Sequence, residues 1–344
     1  MGDLTYSTGA LVGVVTNVSK PVLHFRDRYF DNFQYSENEL VMVDVVNGMP
    51  RIAPYVSHKM PGVVMDFESF STKYLKPGYL KPKHELDPDK WLKRLPGEVI
   101  LGNLSPQQRR DLTVRLIFQN HEEMVSVAEE AQCAELLRTG KVVLNIEGYG
   151  LVTVDFGRNA ALSIVKAGAA LWSAGTATPL ADIKAAARLA RDNNSGYALT
   201  EVTMAEDAWD NLEARLTDRE IQVLLNSLRG SESRMEMGPR AAKKLQYKGK
   251  LGDYQFWTYK DQYKAPDGTV KEMMPSGSVV ITGEGLEGTR AYGAIKDPRA
   301  GFRAMRIFPK VWIDEDPAGE WAMSQSAPLM FPYRPDCSVG LQVL

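Results

Sequence analysis

The stretch from residue 105 to 140, SPQQRRDLTVRLIFQNHEEMVSVAEEAQCAELLRTG, constrains the fold more than any other part of the chain. Ser105 is a helix N-cap residue, Pro106 suits the first helical position, and Gly140 tolerates the left-handed C-cap. Neither Pro nor Gly interrupts the span between Pro106 and Gly140. A helix filling it runs roughly 50 Å at 1.5 Å per residue, far beyond the usual three or four turns. Leu112, Leu116, Ile117, Met124, Val127, Ala128, Ala131 and Ala134 fall on one broad face, and Phe118, Val125 and Leu136 form a narrower line behind it. A helix apolar on two sides is covered on both, so the pattern predicts a central strut. The chain before it reads as extended and irregular, the chain after it as compact α+β.

The 344 residues allow one large domain or two of ordinary size. A net charge of −2 argues against a general nucleic-acid binder, which carries a basic excess or tail. Cys133 and Cys337 are too few for a disulfide scaffold and suit a reducing cytoplasm. The apolar piece 10–18 has no basic residue ahead of it and is broken by Gly13, so it reads as neither signal peptide nor membrane span.

Residues 1 to about 54 look like an arm. Its segment HFRDRYFDNFQY is too aromatic to stand in water and too short to make a core, so it should lie on another part of the chain or on another chain. Residues 55–97 form a long excursion. Pro77-Gly78 signals a turn, and Pro82, Pro88 and Pro96 exclude central strands and helix interiors. Lys73, Lys76, Lys81, Lys83, Lys90, Lys93 and Arg94 outnumber Glu85, Asp87 and Asp89. So long an irregular run inside a compact domain is unusual. It is either a protruding loop that another molecule covers or a solvated surface loop. Beyond the strut, residues 141–158 predict two strands around the turn Glu147-Gly148-Tyr149-Gly150. Residues 159–310 form a second body, with helices over 179–192 and 205–228, strands over 197–203, 251–263 and 278–282, and a Pro266-Asp267-Gly268 turn. The ending SVGLQVL predicts a strand that returns to an earlier sheet.

Catalytic signatures are weak. Gly283, Gly285 and Gly288 match G-x-G-x-x-G after an apolar strand, but the following TRAYGAIKDP is too short and too broken for the helix a dinucleotide site requires. His24, His58, His84 and His121 lack metal-ligand spacing. The pairs Glu122-Glu123 and Glu129-Glu130 and the run Asp314-Glu315-Asp316 read as solvated faces, helix charge pairs or loop charge rather than acid–base dyads. No catalytic, cofactor-binding or metal-ligating residue is therefore expected.

The runs Tyr55-Val56-Ser57, Pro77-Gly78-Tyr79-Leu80-Lys81-Pro82-Lys83-His84-Glu85-Leu86 and Leu92-Lys93-Arg94-Leu95-Pro96 resemble the extended loop of the phage lambda-type major capsid protein family. Val154-Asp155-Phe156-Gly157-Arg158 and Gln325-Ser326-Ala327-Pro328-Leu329-Met330 match it too, and more weakly Tyr247-Lys248-Gly249 and Tyr292-Gly293. The match is thin over 1–20 and 160–240. The resemblance implies an α+β, Hong Kong 97-type capsid fold. It would have an N-terminal arm (1–54), an extended loop (55–97), a peripheral domain (98–158 with 315–344, spine helix about 105–139) and an axial domain (159–314). It implies a structural, non-enzymatic protein without cofactor, assembling with itself into the hexamers and pentamers of an icosahedral tailed-phage head. Decoration, scaffolding and portal proteins are further expected partners, and packaged double-stranded DNA is enclosed without sequence specificity. The place is the virion head, assembled in the host cytoplasm, with no membrane involved. Lys73, Lys76, Lys81, Lys83, Lys93 and Arg94 are expected to face acidic residues of an adjacent subunit, with Tyr79, Trp91 and Leu95 as its apolar contact. The competing reading is a cytoplasmic nucleotide-dependent enzyme using the loop from Gly283 to Gly288.

Overall fold

A computed structural model describes residues 21–38, 40–46, 70–87, 105–146, 150–193, 196–229, 244–315 and 318–344. Its longest element is the expected helix. Helix α2 (Pro106–Thr139; α1 precedes it at His24–Tyr29) has 34 residues. The Ser105 hydroxyl accepts the Gln108 N–H at 3.2 Å, and the Gln108 side chain accepts the Ser105 N–H at 2.9 Å. This reciprocal box satisfies two donors that a helix start leaves open. At the other end Gly140 turns left-handed, at φ 75°, and its N–H closes on the Leu136 carbonyl at 2.7 Å.

A six-stranded sheet carries the core, in the order β7 (Ser163–Val165), β18 (Ser338–Gln342), β13 (Ser278–Thr282), β8 (Glu201–Met204), β10 (Tyr254–Tyr259), β9 (Leu245–Leu251). The pairs β18–β7 and β10–β8 are parallel and the others antiparallel. Strand β13 is buried along its whole length, as an apolar run flanked on both sides requires. The C-terminal strand does return to a sheet, and it pairs with both β13 and β7. A boundary drawn at residue 314 therefore cuts through this sheet.

Two three-stranded sheets flank it. One runs β1 (Asn32–Ser36), β14 (Gly288–Gly293), β17 (Pro328–Pro332); the other runs β15 (Phe308–Glu315), β16 (Ala318–Gln325), β4 (Lys83–Leu86). Three two-stranded ladders complete the described sheets: β2 (Val41–Val46) with β3 (Phe70–Leu75), β5 (Lys141–Ile146) with β6 (Gly150–Asp155), and β11 (Gln262–Lys264) with β12 (Val270–Glu272). Helix α2 packs across β17, β18 and β13, and α3 (Pro179–Asn193) lies against β18. Helices α4 (Glu206–Glu213) and α5 (Asp218–Arg229) follow β8, with α5 against β9.

Three expectations are corrected. The single helix expected over 205–228 is two, because Thr217 starts a new one. Its N–H donates to the Glu220 carboxylate at 2.9 Å, and its hydroxyl accepts the Glu220 N–H at 3.4 Å. The strand expected over 197–203 begins only at Glu201. The broad apolar face of α2 is only part of its buried surface: Ala134 is buried and Val127 and Ala131 pack on the core, but Met124 is 45% exposed, and the expected second line, Val125 and Leu136, is buried together with His121, Glu129, Glu130 and Gln132. The helix buries a mixed face because incoming segments bring partners for its polar groups.

The arm's aromatic segment lies on its own chain. Phe25 and Phe30 are fully buried in the main core, and β1 adds to β14 as a parallel strand. Burying a side chain of this size contributes about 1.5–3 kcal/mol, so this part of the front quarter is internally anchored. Residues 1–20 and 47–69 lie outside the described set.

The C-terminus of α2 is gripped from two sides. The Arg158 guanidinium donates to the carbonyls of Leu137 (2.7 Å) and Arg138 (2.9 Å) and to the Ser163 hydroxyl (2.6 Å). Burial pushes this guanidinium down to about 10, and Asp336 and Asp155 oppose the shift. From the other side Gly340 of β18 touches the Arg138 backbone: a Cβ there would lie 1.8 Å from the Arg138 carbonyl oxygen. Replacing Arg158 with methionine is expected to cost on the order of 3 kcal/mol, because it leaves the Leu137 and Arg138 carbonyls at the helix end without their donors. Lysine cannot reproduce the fork and should recover under half of that. Urea unfolding measures both, and a methionine variant within about 1 kcal/mol of the parent would refute this account, since such a loss is what an ordinary single bond contributes.

Candidate functional site

Three of the sequence motifs, Pro77–Leu86, Gln325–Met330 and Tyr292-Gly293, meet in space. The Leu80 N–H donates to the Ser326 carbonyl at 2.8 Å and the Ser326 N–H returns to Leu80 at 3.0 Å, while the Ser324 N–H reaches the Pro82 carbonyl at 3.0 Å. Strand β4 then pairs with β16 from Lys83↔Met323 to Leu86↔Glu320. The run from Pro77 to Leu86 is thus laid antiparallel along the residues leading into Gln325 and Ser326. Gly293 joins them: its N–H donates to Ala327 at 2.9 Å, and a Cβ at Gly293 would strike the Pro77 ring at 2.7 Å. A glycine is needed there for close approach, not for its φ.

The candidate contact residues divide into several groups. Lys73 sits in β3 opposite Val43. Lys76, Lys81 and Lys83 are exposed. The Lys81 ammonium lies 4.9 Å from the Tyr79 ring centre. That of Lys83 lies 3.5 Å from the Trp321 ring centre and 5.1 Å from that of Trp312, so this lysine is committed to a cation–π stack on its own chain. Tyr79 is half-buried, and its hydroxyl donates to the Gln325 side chain at 2.6 Å and accepts the Lys296 N–H at 3.0 Å. Trp91, Lys93, Arg94 and Leu95 lie outside the described residues.

Opposite charge lies elsewhere on the molecule. A cleft of about 260 Å³ is lined by Glu206, Asp207, Asp210, Asp261 and Glu272, with Lys260 among them. Large apolar side chains also stand in solvent on several elements: Phe33 and Tyr35 of β1, Leu151 of β6, Val165 of β7 and Ile313 of β15, the last three 70–75% exposed.

The Glu129-Glu130 pair, expected as a solvated face or helix charge pair, is fully buried. Glu130 accepts the N–H groups of Phe25 (2.9 Å) and Arg26 (2.8 Å), so a carboxyl of α2 caps the start of α1. Burial pushes it up to about 7 against those bonds. Glu129 receives Arg26 Nη1 at 2.9 Å, Arg306 Nε at 3.2 Å and the Tyr292 hydroxyl at 3.0 Å. These partners lie 103, 177 and 163 residues away, which is why spacing could not reveal them. Glu122 and Glu123 are exposed, as expected.

Two of the four histidines meet. His84 Nδ1 and His121 Nε2 are 2.7 Å apart, and His121 Nδ1 is 3.0 Å from the Ser324 hydroxyl. His24 is buried against Phe25, Trp257 and Tyr259, and burial, helped by Arg28, pushes it down to about 4. His58 lies outside the described residues. Among the described residues, no three His, Cys, Asp or Glu side chains gather as a metal site.

The glycine loop is a packing device. A Cβ at Gly283 would meet the Ala198 carbonyl at 2.3 Å, one at Gly285 the Tyr197 ring at 2.6 Å, and one at Gly288 the Tyr29 carbonyl at 2.4 Å. The space a pyrophosphate needs is filled by protein, and Gly288 opens strand β14 rather than a helix. The nucleotide reading has no support in this geometry.

Two solved structures that share the fold are described as capsids. A prophage protein of Escherichia coli CFT073, described as a capsid protein, matches with a TM-score of 0.69 at 23% identity, over 98% of this chain and 99% of that one. The bacteriophage PhiM1 mature capsid matches with a TM-score of 0.51 at 11% identity, over 99% and 90%. The fold is the α+β, Hong Kong 97-type capsid fold. The chain belongs to the family described as phage major capsid protein E, whose sequence profile matches residues 7–343. The major capsid protein of Escherichia phage N15 is 32% identical over 347 residues, covering 98% of this chain and 99% of its own length. That of Escherichia phage lambda is 31% identical over 313 residues, covering 89% of each. The role is structural.

Proposed function

We propose that this chain is the repeating wall subunit of a tailed-phage head, joining copies of itself into hexamers and pentamers of an icosahedral shell around double-stranded DNA. The observation that supports this best is the family match from residue 7 to residue 343. In this reading residues 1–54 are the arm, 55–97 the extended loop, 98–158 with 315–344 the peripheral domain and 159–314 the axial domain, with β18 serving both bodies. Shells of this kind grow by heterologous contacts, in which one surface meets a different surface of the next copy and rotation closes the ring. Lys73, Lys76, Lys81, Lys93 and Arg94 then face acidic groups of a neighbour, such as those around Glu206, Asp210 and Glu272, with Tyr79, Trp91 and Leu95 as apolar contact, while Lys83 stays on the Trp321 ring of its own chain. The net charge of −2 fits a container that encloses DNA without gripping it, because phosphate neutralisation by Lys and Arg dominates such affinity. Assembly takes place in the host cytoplasm, with scaffolding, portal and decoration proteins as partners. Among the described residues no helix is long and apolar enough to cross a membrane.

Expressed alone or with its scaffold, the chain should give closed shells by negative-stain microscopy, and only small soluble oligomers would overturn the reading. Deleting residues 70–85 is a poor probe of the loop, because it removes paired positions of β3 and β4. Reversing Lys76 and Lys81 to glutamate spares both strands. The double variant is expected to keep the parent's melting temperature within about 2 °C, as surface changes usually do, while losing most of its shell yield. An unchanged yield would remove these two lysines from the interface.

A further inference from the structure

Strand β4 is held to the body on two faces. Lys83 and Glu85 alternate with His84 and Leu86. The first pair stands on the Trp321 side, with Glu85 opposite Trp321 and Lys83 stacked on its ring. The second pair faces helix α2, where Leu86 is buried with Val114, Ile117 and Phe118. His84 there meets His121, which is fully buried under the Phe118 ring edge and bonded on its other nitrogen to Ser324.

We propose that the His84–His121 hydrogen bond is an acid-labile latch that fastens β4, and with it the basic segment around Lys81, to helix α2. The contact of 2.7 Å needs one nitrogen bearing a proton and one bare lone pair. A neutral pair supplies this, and so does a pair holding one extra proton. When both rings are cationic, two N–H groups face each other across the gap and the bond cannot exist.

Neighbouring charges do not rescue the doubly protonated state. On α2, Glu122 is taken by Arg306. On β16, Glu320 is taken by Arg110. On β4, Glu85 is exposed and stands on the opposite side of the strand. Burial, and then the facing His84, push His121 down to about 4. A depressed imidazole contributes stability above its ordinary value of about 6.5, and that stability is lost as pH falls through the folded value. The window for release is therefore pH 6.5 down to about 4.

The latch belongs to the single chain, and only its consequence for a shell, a loosened loop, rests on the function proposed above. It is tested on the purified unassembled full-length chain by hydrogen exchange, corrected for intrinsic rate. Protection of residues 79–87 is expected to fall tenfold or more between pH 6.5 and pH 4, while helix α3 stays protected. In His121→Gln the amide can bond both Ser324 and His84 without titrating, so the same peptide should change less than twofold. His84→Gln, on the more accessible ring, should behave alike and stands in if the first variant folds poorly. A flat wild-type profile, or a fall that persists in both variants, overturns the latch whether or not shells form.

Discussion

Replacing Gly340 with alanine is expected to destabilise the subunit by at least about 3 kcal/mol, the upper range for forcing an extra carbon into a filled interior, and to leave little soluble protein. The three atoms nearest the new Cβ are all backbone: the Arg138 oxygen at 1.8 Å, its carbonyl carbon at 2.7 Å and its Cα at 3.2 Å. A flexible side chain could step aside, but the last turn of a long helix cannot. Neither can β18, which is pinned between Val280 and Ser163 in the central sheet. Relief would need the helix end to move off the sheet, losing the Arg158 bonds and the packing of Leu136 and Leu137 as well. Gly175 is the control, because a Cβ there meets nothing within 4 Å. Gly175→Ala should unfold in urea within about 0.5 kcal/mol of the parent, as exposed substitutions do. Similar midpoints for the two alanine variants would show that the helix and the sheet are not locked at this point.

The second large effect lies at Glu129. Its carboxylate is fully buried and answers two guanidiniums and a phenol. Taking one partner out of a buried charge cluster costs about 3–5 kcal/mol, because the remaining charges are left unpaired in a poor solvent for them. Glu129→Leu should fall in that range by urea unfolding. Glu129→Gln keeps the shape and one acceptor, and should cost about half as much, in keeping with the weaker bond a neutral group makes. A triple variant with leucine at 129 and methionine at Arg26 and Arg306 should recover most of the loss, since well-packed apolar groups often replace buried ion clusters at no net cost. A leucine variant as stable as the parent would mean that water reaches the cluster. A triple variant no better than the single one would mean that the charges do more than pair.

Local signals were legible in the sequence and long-range ones were not. Ser105, Pro106 and Gly140 announce both ends of α2 because caps are made by residues close together in the chain. The Thr217–Glu220 box is written in the same way, in Thr217-Asp218-Arg219-Glu220, and should have divided the helix expected over 205–228. The polar part of the inner face of α2 was not legible, although Val125, Ala134 and Leu136 were. Hydrophobic periodicity assumes that apolar residues turn inward, and here His121, Glu129 and Glu130 do so because His84, Arg306 and the N–H groups of α1 come to meet them. The joining of Pro77–Leu86 with Gln325–Ser326 bridges some 240 residues, as the 246-residue separation of Tyr79 and Gln325 shows. No window along the chain sees that distance. The arm's aromatics were recognised as needing cover, but composition could not tell an internal groove from a neighbour's surface. For Phe25 and Phe30 the groove is internal.

Strand β18 has a consequence for synthesis. Of the six strands in the central sheet it is made last, yet it occupies the second place, between β7 and β13. Translation runs from the N-terminus, so the ribosome delivers β7, β8, β9, β10 and β13 before the strand that joins β7 to the others. Until residue 342 has left the exit tunnel, β7 has no neighbour in the sheet and the end of α2 lacks the strand that covers it. A polypeptide terminated before β18 is therefore expected to lack the strand that closes the sheet onto β7 and to be open to proteolysis.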